Sequence, residues 1–437
     1  MKVQAEKPAT TSPFQEFFRT EAATGALLVL CAAIALMIAN SPWGYVYHRV
    51  WETPIALVAG GHTLSFTLHG WINDGLMATF FLLVGLEIKH QAVAGELATL
   101  RQAALPIAAA VGGMIVPAAI YVFTNGGGGQ TARGWAIPMA TDIAFALGVL
   151  ALVAPRAPSG LKVFLAALAI VDDMGAVLVI ALFYTGAIAW SALGIAGLFL
   201  LALIALNLLG FTRLAPYLVL GLGLWLFVHA SGVHATIAGV LLALTIPTRT
   251  PIDAAHFSAK AHDLLGDFDR TETGDFLVMT SRGQQEAIFG LARASRQVTA
   301  PLLRLEHALH GFSAFVVMPL FAFSNAGVDL SGSPASSVTL AVVLGLLVGK
   351  PLGITIAAVA AVRLRVAALP EGVGWAALHG CAWLGGIGFT MSLFIATLAF
   401  DGSNDLDASK IGILGASLIA GIVGSVLLRS TPEVRQG

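Results

Sequence analysis

Charge is what this chain has least of. Asp, Glu, Lys and Arg make up 11% of its 437 residues, against roughly 25% in soluble domains, which excludes an ordinary soluble fold. Cysteine is equally scarce. Cys31 and Cys381 both fall in apolar runs, so they read as small buried side chains and exclude a disulfide framework. A formal net charge of −1 offers no footing for nucleic acid, whose backbone is met by excess Lys and Arg. No phosphate-binding loop occurs, so no ATP-driven step is expected.

What is present is apolar chain, 57% of the residues. Runs of about 20 apolar residues, enough to cross a bilayer, recur over nearly the whole length. The fold class expected is therefore an all-α polytopic membrane protein of about twelve transmembrane helices. The spans fall at 22–40, 71–95, 103–124, 133–152, 160–184, 191–209, 214–228, 232–246, 301–325, 339–361, 376–399 and 408–430. The first run could pass for a signal peptide. Glu16, Glu21 and the weak cleavage context Ala39-Asn-Ser-Pro-Trp favour an uncleaved first span.

Placing the N-terminus in the cytoplasm puts 19 of the 23 Lys and Arg inside. Arg49, Arg133 and Lys410 fall outside, and Lys350 lies within a span. That bias fixes both termini as cytoplasmic. The chain then divides into a tail at 1–21, a membrane domain at 22–430 and a tail at 431–437. Residues 45–70 carry short β-type runs around Gly60-Gly61 and read as an external β-hairpin. Residues 247–300 read as a mobile cytoplasmic loop with an acidic patch (Asp263, Asp267, Asp269, Glu272, Asp275) and one short helix near 283–297.

The chemistry is concentrated in four ionisable groups set inside spans: Asp142, Asp172, Asp173 and Lys350. Each costs about 3 kcal/mol at bilayer depth. Together that is on the order of 10 kcal/mol, comparable to the whole net stability of a protein, about 5–15 kcal/mol. Fully ionised, the four sum to −2, so Lys350 alone does not neutralise the carboxylates. Either a cation or protons must do so, which outlines a proton-coupled cation carrier. Asp172 and Asp173 are adjacent, and neighbouring helix positions point about 100° apart. One carboxylate can face an ion site while the other meets a counter-charge. Low dielectric and like charge both favour a protonated carboxylate, which sets up an exchange of H⁺ for Na⁺.

Two spans are interrupted. Pro138 breaks the helix shortly before Thr141-Asp142, and proline frees a backbone carbonyl. Late in the chain, Trp383-Leu-Gly-Gly-Ile-Gly-Phe-Thr-Met391, with Gly386 and Gly388, makes a second break. Irregular backbone at membrane depth belongs beside a cavity or inside protein. Both breaks fall in the middle span of a three-span group, 103–184 and 339–430, which suggests an inverted repeat with the site at its centre. Glu87 and Lys89 form a candidate cytoplasmic funnel for cations. His234 and the cluster Glu306, His307 and His310 are read as lying near the cytoplasmic face, where histidine titration responds to pH.

Several stretches together resemble the NhaA sodium/proton antiporters. They are Asn73-Asp74-Gly-Leu-Met, Phe81-Leu-Leu-Val-Gly-Leu-Glu-Ile-Lys89, Ala140-Thr-Asp-Ile-Ala-Phe-Ala-Leu-Gly148, Asp172-Asp173, Ser231-Gly-Val-His-Ala235, Gly349-Lys-Pro-Leu-Gly353 and Gly386-Ile-Gly-Phe-Thr-Met-Ser392. The likeness runs from about residue 13 to 430. It implies a dimerisation domain, and a core transport domain with two interrupted, crossing helices. It implies a pH-regulated secondary transporter of a bacterial inner membrane, not an enzyme, that expels Na⁺ or Li⁺ while more than one H⁺ enters. By the matching motifs Asp173 is the main ligand of the transported Na⁺ or Li⁺, Asp142 and Thr141 lie near the crossing, and Asp172 pairs with Lys350. Glu87, His234, Glu306, His307 and His310 correspond to residues linked with pH response. The external hairpin resembles the family's contact in a homodimer, and no cofactor is implied. The loop at 247–300 is longer than compact members need. Two other readings compete. A Na⁺-coupled symporter of an organic solute would need a roomy polar or aromatic cavity. An intramembrane aspartyl protease would need Asp142 and Asp173 to share a proton, but lacks a Gly-x-Gly-Asp stretch.

Overall fold

The computed structural model describes residues 13–59, 62–95, 97–126, 128–270, 281–330, 336–400 and 402–430. Most of the predicted N-terminal tail, the C-terminal tail at 431–437, the hairpin tip at 60–61, and Glu272 and Asp275 of the acidic patch lie outside the described residues.

Sixteen helices run along the described residues. The first two are α1 (Pro13–Ala39) and the short α2 (Gly44–Trp51). Strands β1 (Pro54–Ala59) and β2 (His62–Thr67) follow, antiparallel, in a register from Pro54 opposite Thr67 to Ala59 opposite His62. Next come α3 (Leu68–Ala94) and α4 (Leu100–Thr124), then a 3-10 segment Gln130–Met139 leading to α5 (Ile143–Val153). The chain continues with α6 (Ser159–Phe183), α7 (Trp190–Leu208), α8 (Leu214–Ala230) and α9 (Thr236–Thr245). Beyond them lie α10 (Ala254–Arg270), α11 (Arg282–Val298), α12 (Pro301–Asn325) and α13 (Ser337–Arg363). The last three are α14 (Trp375–Leu384), α15 (Phe389–Phe400) and α16 (Asn404–Ser430).

Among the described residues, nine helices are long and apolar enough to cross a bilayer, and α14 with α15 form a broken pair bent by 46°. Two shorter apolar helices, α8 and α9, fall where two further spans were predicted. The helices lie within a few residues of the predicted apolar runs, while nine or ten of them meet the length of a span. The helix of the first span starts earlier than expected, at Pro13. The predicted β-hairpin is present, and it is fastened to the bundle. Trp71 Nε1 donates to the Ile55 carbonyl (3.1 Å), and Phe66 packs edge-on against His229 with ring centroids 4.7 Å apart.

The loop at 247–300 departs from expectation. It holds two helices, α10 and α11, where one was predicted. Charged and polar residues are scattered along α10, yet Phe257, Ala261, Leu264 and Phe268 recur at helical spacing on one side, and Leu264 meets α11 at Gly290. Asp253 starts the helix by accepting the amide of His256 (2.8 Å). That bond and the His256 ring beside it hold the Asp253 carboxyl below the usual carboxylate range.

Two apolar cores form. The larger gathers residues of α1, α3 to α6 and α12 to α16. The smaller joins α7, α8 and α9 to Leu82 and Leu86 of α3 and to Leu302 and Leu305 of α12. Close packing in a membrane cannot rely on the hydrophobic effect and favours small residues at contacts. The tightest contact, α4 on α13, is of this kind. A Cβ on Gly353 would strike the Gly112 carbonyl and sit 3.0 Å from Val116 Cβ. This approach sets α13, and Lys350 on it, against the interrupted segment.

Gly353→Ala should therefore force α4 and α13 apart and cost about 1–3 kcal/mol. The thermal midpoint of the purified protein in detergent is the measurement. An unchanged midpoint would show that the contact is slack.

Candidate functional site

The site grows from two breaks that lie against each other. After Met139 the 3-10 segment ends, Ala140 is extended (φ −86, ψ 146), and Asp142 (φ −83, ψ 101) precedes the first turn of α5. Between Leu384 and Phe389 the second helix is broken by Gly385, Gly386 and Gly388. A Cβ on Gly386 would lie 2.7 Å from the Leu346 carbonyl, so only glycine fits there. The two breaks bond to one another directly. The Asp142 amide donates to the Ile387 carbonyl (2.7 Å), and Ser392 Oγ donates to the Ile137 carbonyl (2.7 Å). The crossing of two interrupted helices expected from the family resemblance is thus present as a hydrogen-bonded contact.

Breaking two helices exposes positive amide ends and negative carbonyl ends at depth. Charged side chains meet both. The carboxylate of Asp142 accepts the Phe145 amide in the first turn of α5 (3.0 Å). It also accepts the Thr390 amide in the first turn of α15 (3.1 Å) and Thr390 Oγ1 (2.5 Å). One fully buried carboxylate therefore caps two helix starts. At the opposite polarity, Lys350 Nζ donates to the Met139 carbonyl at the end of the 3-10 segment. A widened π-helical turn, Gly345–Gly349, immediately precedes Lys350 and re-aims it.

Lys350 also pairs with Asp172 at 2.5 Å, and both side chains are wholly buried. The same Asp172 oxygen lies 2.7 Å from Thr141 Oγ1, which is also 2.8 Å from the Gly385 carbonyl. The threonine has one proton for these two acceptors. Asp172 is therefore a bracing carboxylate, tied to α13 and to both breaks.

Asp173 differs. It is 2% exposed, and its Oδ1 is buried with no hydrogen-bond partner among the described residues. The charges acting on it are Asp172, Glu87, Asp142 and Lys350, three of them negative. Asp172 Oδ1 is likewise buried and unpartnered. Hard cations are bound by oxygens of this type.

A cleft of about 60 Å³ lies beyond the first turn of α5. Ile143, Ala144, Glu87, Thr24 and His310 line it, with Met318 and Phe80 on its apolar side. Glu87 and His310, both singled out from sequence, thus face one space. Glu306 pairs with His90 (3.1 Å), and His307 is exposed. Lys89 donates to the Leu244 and Ile246 carbonyls (2.7 and 2.6 Å), capping the end of α9. His234 does not join this group, contrary to the sequence reading. It precedes the first residue of α9, whereas Lys89 holds the last turn, and the ten residues between span roughly 15 Å. Its ring meets Phe394 of α15 edge-on at 5.8 Å. The short length of α9 makes the two ends easy to confuse in sequence.

Sequence reasoning missed Thr390, Ser392, His90 and the Met139 carbonyl. Thr390 carried a signal, being a hydroxyl residue just after a glycine break, where helix starts are capped. The others required the tertiary fold.

The Na+/H+ antiporter 1 family matches residues 15–428. The Na(+)/H(+) antiporter NhaA of Oleidesulfovibrio alaskensis is 48% identical over 422 residues, 96% of this chain and 94% of the relative. That of Koribacter versatilis is 50% identical over 428 residues, 95% of this chain and 91% of the relative. The solved sodium proton antiporter MjNhaP1 of Methanocaldococcus jannaschii aligns at a TM-score of 0.49 and 13% identity, covering 95% of this chain and 96% of that one.

Replacing Lys350 by Met should leave Asp172 buried without its partner and destabilise the protein by about 3–5 kcal/mol. Adding Asp172→Asn should restore much of that loss. Thermal midpoints of the two single variants and the double variant test the pairing. Additive losses would contradict it.

Proposed function

This chain belongs to the Na+/H+ antiporter 1 family, and from that premise we propose that Asp173 is the carboxylate at which Na⁺ or Li⁺ and H⁺ compete. The observation that carries this reading is the contrast between the adjacent aspartates. Asp172 is committed to Lys350 and Thr141, whereas Asp173 Oδ1 is buried and unpartnered. An unpaired ionised carboxylate at this depth is untenable. It is relieved in two ways, by a proton or by a cation, and each excludes the other.

In the proposed cycle a proton leaves Asp173 toward the cytoplasm, and Na⁺ enters past Glu87 and takes its place. Asp142 and Thr141 contribute oxygens as the crossed segments shift. The loaded core then opens outward, Na⁺ leaves, and external protons return. With Asp172 neutralised by Lys350, Asp142 and Asp173 remain as two negative charges. Two protons in place of one Na⁺ make the exchange electrogenic. Glu87 and His310 line the cytoplasmic approach and make entry depend on pH. The two three-span groups act as inverted repeats that exchange access. The chain resides in the bacterial inner membrane with both termini cytoplasmic, as a homodimer joined through the β-hairpin.

The experiment is Na⁺-induced pH change in everted membrane vesicles, wild type beside Asp173→Asn. Dequenching of a ΔpH dye on Na⁺ addition is expected in wild type alone. Absence of a Na⁺ response in wild type would sink the antiport reading, and an unchanged Asp173→Asn response would move the site elsewhere.

Competition also fixes a pH dependence. Half-saturating Na⁺ should rise about tenfold per unit fall in pH for each proton displaced from the site. A half-saturating concentration independent of pH, measured in proteoliposomes under symmetrical pH, would exclude a shared site.

A further inference from the structure

The helical hairpin α10–α11 takes no part in the ion site. Its inner seam is small and apolar. Ala287, Gly290 and Ala294 of α11 are buried, and Leu264 of α10 occupies the space beside Gly290. The outer face of α11 is different in kind. Arg282, Phe289, Arg293 and Arg296 fall on one helical stripe with Glu286, and all five are exposed, leaving a net charge of +2. Phe289 is 65% exposed, with Ile288 on its flank at 44%. On α10 the exposed Asp263, Asp267 and Asp269 are set against exposed Lys260 and Arg270, and Arg270 pairs with Asp267 at 3.4 Å. The hairpin thus carries a basic, aromatic face on α11 and a face of mixed charge on α10.

Its attachment limits where these sides can face. Only Thr299 and Ala300 separate α11 from the membrane span α12. The Leu302 amide donates to the Pro247 carbonyl (3.2 Å), which ties the exit of the hairpin to its entry at one membrane boundary. Arg296 lies less than two turns ahead of the span. A helix with apolar side chains and arginines together on one face, held at the bilayer edge, has the composition of an interfacial helix.

We infer that α11 lies on a layer of anionic lipid headgroups, with Phe289 and Ile288 entering the acyl boundary. Arg282, Arg293 and Arg296 pair with lipid phosphates, and α10 turns to water. Charge complementarity selects an anionic surface, because α11 carries three arginines against one glutamate whereas the charges of α10 nearly cancel. The hairpin would thereby report the lipid composition of its leaflet to α12, which carries Glu306 and His310 near its start.

The test uses the full chain in proteoliposomes, with an environment-sensitive nitrobenzoxadiazole label at Ala292→Cys. Unsubstituted protein serves as the blank for Cys31 and Cys381. Brominated acyl chains should quench the label in phosphatidylglycerol-rich vesicles and much less in pure phosphatidylcholine. Arg293→Gln with Arg296→Gln should lower the docked-to-undocked ratio roughly thirtyfold, from two basic side chains near an anionic surface. Lys at both positions should preserve docking. A label unquenched by lipid and open to iodide in both vesicles would overturn the inference. So would protection that rises only with protein density, which would mean that a second copy covers the stripe.

Discussion

Two helices broken at bilayer depth present backbone groups that no lipid can satisfy, and the rest of the site follows from how this chain satisfies them. Asp142 meets the amide starts of α5 and α15, and Lys350 meets the carbonyl end at Met139. Each side chain supplies the charge opposite to the local helix end. The charges that a hydropathy argument marks as expensive are therefore what makes broken helices tolerable. The glycine contact between α4 and α13 serves the same end, because it delivers Lys350 to Met139.

The adjacency of Asp172 and Asp173 gains its meaning from this frame. Their side chains diverge by about 100° around α6. Asp172 turns to Lys350 and Thr141 and becomes part of the scaffold. Asp173 turns to a region where Glu87, Asp142 and Asp172 contribute negative potential. In the proposed exchange a single carboxylate could not do both tasks, since pairing it with Lys350 would remove its attraction for a cation. On that proposal two neighbouring residues divide the work at the smallest separation a helix allows.

Most of the architecture was legible in the sequence because bilayer spans announce themselves by length and composition. Pro138 and the glycine cluster at 385–388 marked both breaks, although the extended residues lie just beyond the proline, at Ala140 to Asp142. Charged residues inside spans named Asp142, Asp172, Asp173 and Lys350 without ambiguity. What stayed hidden was pairing. That Lys89 caps α9, that His90 meets Glu306 and that Thr390 holds Asp142 depend on contacts distant in sequence. α10 was overlooked because its charged side masked a short apolar stripe of Phe257, Ala261, Leu264 and Phe268.

The placement of polar groups along the bundle separates two kinds of work. At the crossing, Asp142, Asp172 and Lys350 are bonded to several partners, and displacement of any one would strand buried polar atoms. Toward the Lys89 end, Glu87 and His310 line a cleft, and the His90–Glu306 pair is partly exposed. The rigid group suits holding a fixed geometry around Asp173. The looser group suits a response to conditions, because its charge can change without dismantling the fold. His234, packed against Phe394, belongs by position with neither the cleft nor the caps. Its contact is with α15, whose first turn caps on Asp142, so a change at His234 would reach the site through helix packing and not through the entry path.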